Sequence, residues 1–172
     1  MAILDVYMNG YLIGEFTKSA NGSHMFKYGL KWLETPGSRP ISLSMPLQRK
    51  QYRGTDVYNF FGNLLPDTIE IRNKIVARHD AQSTQAFDLL EKIGQDSVGA
   101  LQLIPHKQPA PDVKKIESKP LSNKALEKIL KGYESDMPLG MLKEEEDFRI
   151  SLAGAQEKTA LLNLQGQWHL PL

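Results

Sequence analysis

Ile3 to Met8 and Tyr11 to Thr17 are β-prone runs separated by Asn9-Gly10. That dipeptide is the strongest short-range sign of a two-residue hairpin turn, because both central residues must adopt positive φ. The chain is therefore predicted to open as a β-hairpin. Met25 to Tyr28, behind Asn21-Gly22, is a further short strand. Ile41, Leu43, Met45 and Leu47 alternate with Ser42, Ser44 and Pro46. This is the period of a half-buried strand, with Pro46 at an edge or at the strand's end. The period then changes. Val57, Phe60, Phe61, Leu64 and Leu65 recur at helical spacing behind Thr55-Asp56, either of which can cap, and Pro66 closes the segment. A second helix is expected from near Asp67, with Ile69, Ile71, Ile75 and Val76 on one face. A third is expected behind Ser83, with Phe87, Leu89, Leu90 and Ile93 inward and Gly94 ending it. Val98 to Ile104 reads as a strand returning to the sheet. Val6, Leu43, Phe60, Leu64, Leu89 and Leu103 are the expected core.

Pro105, Pro109, Pro111 and Pro120, interleaved with lysines and few large apolar residues, mark a linker or long surface loop. Beyond it Ser122 can cap a helix whose Leu126, Ile129, Leu130 and Tyr133 share one face, and Pro138-Leu139-Gly140 breaks it. Two apolar runs then flank a small-residue turn at Gly154, and Gln165-Gly166 offers a second turn. The expected class is α+β. Residues 1–105 form a hairpin-rich sheet with packed helices, 106–120 form the Pro-rich linker, and 121–172 hold a short helix and a hairpin that begins a second domain. With 172 residues, the chain has room for one good core or for one domain plus part of another.

Charge and composition narrow the chemistry. Lys+Arg number 21 against 20 Asp+Glu, a net +1, so no global basic field points to nucleic acid as a primary ligand. The absence of cysteine removes disulfides, thiolate metal sites and thiol nucleophiles, and fits a reducing compartment. The first ten residues carry Asp5 and Asn9 instead of a basic start and an apolar core, and no apolar run is long enough to span a bilayer, so the expected location is cytoplasmic.

Three groups invite chemistry. Arg78-His79-Asp80 looks like a scrambled kinase catalytic loop, but Gln85 stands where a metal-binding Asn belongs, so a solvated helix end is expected. Glu144 to Asp147 are consecutive carboxylates whose side chains diverge, which suits a solvated acidic loop. His24, His79, His106 and His169 show no metal-ligand spacing and read as surface or packing residues. No catalytic residue and no metal ligand is assigned. The turn at Ala153-Gly154-Ala155 admits two readings: a hairpin bend, or a loop whose backbone N–H groups can approach a phosphate.

Wording along the whole chain resembles the HipA family of bacterial serine/threonine kinase toxins of type II toxin–antitoxin systems. The likeness is carried by Met8-Asn9, Gly14-Glu15, Arg39 to Leu47, Asn59 to Asp67, Phe87 to Leu90 and Ile93 to Ala100. It runs on through the glycine-rich segment Ile150-Ser151-Leu152-Ala153-Gly154-Ala155-Gln156-Glu157-Lys158 and is weakest from His106 to Lys119. The resemblance implies an N-terminal α+β module followed by the start of a kinase small lobe. It implies that Ala153, Gly154, Ala155, Gln156, Glu157 and Lys158 would face ATP phosphates, and that Ser151 matches the autophosphorylated serine. It implies glutamyl-tRNA synthetase as family substrate and a HipB-like helix-turn-helix antitoxin or a kinase body as partner, with DNA reached only through the antitoxin. The ATP-pairing lysine, catalytic Asp and metal-binding Asp lie further on in the family. ATP and Mg²⁺ are therefore expected only in a complete kinase, and this chain alone is expected to be inactive. Two expectations remain open: the N-terminal regulatory part of such a kinase, or a stand-alone split-gene protein acting on a shortened kinase. Tyr7, Tyr11, Trp32, Tyr52 and Tyr58 are candidate docking anchors.

Overall fold

The computed structural model describes residues 1–110, 112–132 and 160–171. Two compact units divide the chain, Met1–Pro111 and Asp112–Leu172.

The first unit opens with β1 (Ala2–Met8) and β2 (Tyr11–Lys18). Asn9 and Gly10 both hold positive φ, 50° and 81°, as the two-residue turn requires. Then come β3 (His24–Tyr28), α1 (Leu30–Leu33), β4 (Tyr52–Arg53), α2 (Thr55–Gly62), α3 (Ile69–His79), α4 (Ala86–Ile93) and β5 (Leu101–Pro105). The sheet has five strands in the order β4-β3-β2-β1-β5, and every neighbouring pair is antiparallel.

Strand alternation decides which side chains meet the helices. Leu4 and Val6 of β1, Phe16 of β2, Phe26 and Tyr28 of β3 and Leu103 of β5 are all buried on paired positions. Val57 and Phe61 of α2, Ile75 of α3 and Phe87, Leu89 and Leu90 of α4 complete that core. Its centre is aromatic: Phe16 and Phe61 stack with centroids 3.8 Å apart, and Phe16 lies 5.2 Å from Phe87. At Gly14 an added Cβ would come within 2.3 Å of the Lys27 carbonyl oxygen, so β2 and β3 approach there only because no side chain intervenes.

Two core expectations are corrected. Ile41 to Leu47 forms no strand; Ser42 and Met45 make an isolated bridge closing a tight turn, with Met45 fully buried and Leu43 97% exposed. Buried donors and acceptors hold that turn instead of a ladder. The Tyr28 hydroxyl donates to the Met45 carbonyl at 2.7 Å and accepts from the Ile41 N–H at 2.9 Å, and Trp32 Nε1 donates to the Arg39 carbonyl. The second correction lies in α2, where Phe61 is the core residue and Phe60 sits half-buried on its flank.

In the second unit β6 (Ser118–Pro120), β8 (Gln167–Pro171) and β7 (Leu162–Leu164) form a three-stranded antiparallel sheet, and α5 spans Asn123–Gly132. The end of the Pro-rich stretch is thus a strand and not linker. Ser122 caps α5, its Oγ accepting from the Ala125 N–H at 3.2 Å. Gln165 and Gly166, with φ of 51° and 86°, make the β7–β8 turn. Pro138 to Gly140 and the glycine-rich segment lie outside the described residues.

Candidate functional site

Ser151 and Ala153 to Lys158, the residues assigned to phosphate contact and modification, lie outside the described residues, as do Glu144 to Asp147. Arg78-His79-Asp80 closes α3, with Asp80 in the left-handed C-cap conformation expected of a helix end.

The first unit carries a cleft of about 400 Å³ where the β3 start meets the α2 N-terminus, lined by Ser23, His24, Arg53, Gly54, Thr55 and Tyr58 among others. Gly54 adopts φ 78°, ψ −145° and turns the chain from β4 into α2. The cleft therefore offers a guanidinium, three hydroxyls and the first-turn N–H groups of a helix, a set suited to a small anion or to polar peptide groups.

Close by runs a buried polar cluster. Lys18 Nζ donates to Asp88 Oδ1 at 2.6 Å, the Ser83 hydroxyl donates to Asp88 Oδ2 at 2.6 Å, and Ser83 Oγ accepts from the Gln85 N–H. Asp88 is 3% exposed, so these two partners replace the water its carboxylate has lost. His24, packed edge-on to Phe16 and stacked near Tyr58 and Phe87, has its pKa lowered mainly by burial. The Lys18 cation pushes the same way and Asp88 opposes. Among the described residues its Nε2 has no hydrogen-bond partner, which suits a neutral ring. Burial and Arg78 lower His79 likewise. In this cluster the Lys18 ammonium and the Ser83 hydroxyl are both tied to the Asp88 carboxylate.

The other candidate surface is apolar. Of the five expected anchors, Tyr11 and Tyr58 are exposed, Tyr7 and Trp32 are buried, and Tyr52 is half-buried with its hydroxyl on the Pro46 carbonyl. Leu12 at the β1–β2 turn and Leu30 in α1, neither of them an expected anchor, are exposed, and so is Leu43, expected in the core. Alternation had placed Leu43 in the core, and only the Tyr28 hydrogen bonds reveal why it turns out. No described helix is long and apolar enough to cross a membrane.

The sequence pattern of the HipA N-terminal domain matches residues 4–104, more than half of the chain. The chain belongs to the HipA N-terminal domain family. It is 33% identical over 177 residues to Y4mE of Sinorhizobium fredii (strain NBRC 101917 / NGR234), named as a candidate kinase, covering 99% of this chain and 40% of that protein. Its fold is similar to HipA of Shewanella oneidensis MR-1, solved with HipB and its operator DNA, at a TM-score of 0.69 and 21% identity, over 97% of this chain and 37% of that one. The chain thus spans about two fifths of the length of the relatives it matches. The antiparallel sheet with its helices is the HipA-type N-terminal module, and the α+β class expected from the pattern is the one observed.

Proposed function

We propose that this chain is the N-terminal regulatory and partner-docking part of a HipA-like serine/threonine kinase toxin acting in the cytoplasm. Membership of the HipA N-terminal family over residues 4–104 carries this reading. A module closed around its own aromatic core, with buried Asp88 tied to half-buried Lys18 and Ser83, supports docking over catalysis. In this reading ATP and Mg²⁺ are held mainly by kinase groups outside this chain, the backbone of Ala153 to Lys158 faces the ATP phosphates, and the substrate is glutamyl-tRNA synthetase. Phosphate on Ser151 would add about −1.5 to −2 charge where ATP phosphates must sit, expelling the loop and silencing the kinase. The partner is a HipB-like antitoxin or a kinase body, with DNA engaged only through the antitoxin.

Calorimetry of the whole chain against a co-encoded antitoxin, and separately against a kinase body lacking this module, tests the docking role. Micromolar affinity for either partner is the expected result. The purified chain with radiolabelled ATP should leave Ser151 unlabelled. Silence against both partners, or labelling by the chain alone, would overturn the proposal.

A further inference from the structure

The face of the first unit's sheet opposite the aromatic core carries a charge arrangement that a plain antiparallel ladder does not favour. Asp5 of β1 and Glu15 of β2 are direct cross-strand partners. Like charges at that position repel, because their Cβ atoms lie only about 4.5–5.5 Å apart. Asp5 is nine-tenths buried, which removes the water that would screen the repulsion. On its other side Asp5 pairs with Ile104 of β5, and the ladder runs on, the His106 N–H donating to the Ile3 carbonyl at 3.1 Å. This puts His106 diagonally beside Asp5, with Nδ1 2.8 Å from Asp5 Oδ1.

One ligand-type atom from each of Asp5, Glu15 and His106 lies within 4.8 Å of the others. Lys27 faces Glu15 from β3 yet makes no ion pair with it among the described residues. Lys27 offsets part of the Glu15 charge from across the strand, and the Asp5–His106 contact is the one close pairing within the cluster of two carboxylates and an imidazole.

We propose that Asp5, Glu15 and His106 bind one divalent cation of the zinc class. Nitrogen and carboxylate oxygen are the donors such an ion takes, and three protein ligands leave a further position for water. Bonds of about 2.0–2.1 Å at tetrahedral angles set ligand atoms about 3.3 Å apart. Buried Asp5 fixes one corner, exposed Glu15 can close to that spacing, and exposed His106, at 2.8 Å from Asp5, needs only a small outward shift to admit the ion. The ion would join β1, β2 and the residue that follows β5, replacing a repulsion by a bond toward the β5 edge of the sheet. A smaller, oxygen-preferring ion such as Mg²⁺ is a poorer match for an imidazole ligand.

Titration of the whole chain with zinc chloride by calorimetry tests this, with thermal unfolding as a second readout. One saturable site at micromolar concentration or tighter is expected, with a rise in Tm and weaker binding of magnesium. Glu15→Gln and His106→Gln, both at exposed positions, should each weaken binding by at least about tenfold. The double variant should fold with an unchanged far-ultraviolet spectrum and lose both the tight site and the Tm rise. Replacing Glu144 to Asp147 by amides, or His169 by Gln, should leave the tight site intact. Absence of a micromolar site, or an affinity unchanged in the double variant, would overturn the proposal.

Discussion

Removing the Phe61 ring is the sharpest test of how this module is held together. Phe61 is fully buried, stacked 3.8 Å from Phe16 at 8° between planes, and 5.8 Å from Phe26. Truncation to Ala deletes a ring from the junction of β2, β3 and α2, and the strands cannot collapse into the space because their ladder fixes them. A Phe→Ala change in such a site costs about 3–5 kcal/mol, with loss of the aromatic pair supplying about 0.5–1.5 of it. Phe60 is its control: the adjacent residue, edge-on to Phe61 at 5.2 Å, but half-buried. Much of its cavity opens to water, so Phe60→Ala should cost about 1–2 kcal/mol. Urea unfolding followed by Trp32 fluorescence reads this, in a Trp168→Phe background so that only the first unit reports. With m of about 1–3 kcal/mol/M, Phe61→Ala should lower the midpoint by more than about 1 M and Phe60→Ala by clearly less. A Phe60→Ala loss equal to or above that of Phe61→Ala would refute the assignment of α2's inward face.

The remaining predictions use the same assay. Lys18→Met should destabilise more than Asp88→Asn. The first leaves a carboxylate that is 4% exposed with only Ser83, whereas the second leaves an ammonium that is 25% exposed and can hydrate; the larger loss should be about 3 kcal/mol. Because His24 and His79 have folded pKa values below the ordinary 6.5, the unfolded chain takes up protons first as pH falls. Their contribution is thus full above 6.5 and shrinks as pH drops toward the lowered folded values, so the urea midpoint should fall between neutral and mildly acidic pH. His24→Phe should flatten that slope. Gly14→Ala should cost at least about 3 kcal/mol, since the new Cβ meets main-chain oxygen and no rotamer relieves it; a variant with unchanged midpoint would contradict the strand register.

Local chemistry made the hairpin legible, because Asn9-Gly10 specifies its own turn. The α4 face was legible too, since Phe87, Leu89, Leu90 and Ile93 all lie inward where the pattern puts them. Ile41 to Leu47 misled because alternation is a local signal, whereas the turn there is fixed by Tyr28 and Trp32, residues from other elements. Phe60 and Phe61 both satisfy a helical face, and only packing against Phe16 chooses between them. The Asp5–His106 contact could not be found from histidine spacing, because its partners are 101 positions apart. The glycine-rich segment, legible by resemblance, lies outside the described residues.

The strand order carries a consequence for synthesis on the ribosome. One side of β1 is satisfied as soon as the first eighteen residues emerge, but its other side waits for β5 at Leu101–Pro105. At about 5–20 residues per second, that side stays open for on the order of ten seconds. An open strand invites pairing with another nascent chain, and a charge set into it deters such pairing. Asp5 is one of the residues on that open side. Before it is buried beside His106, the same carboxylate would hinder pairing of the newborn chain with its neighbours on the polysome.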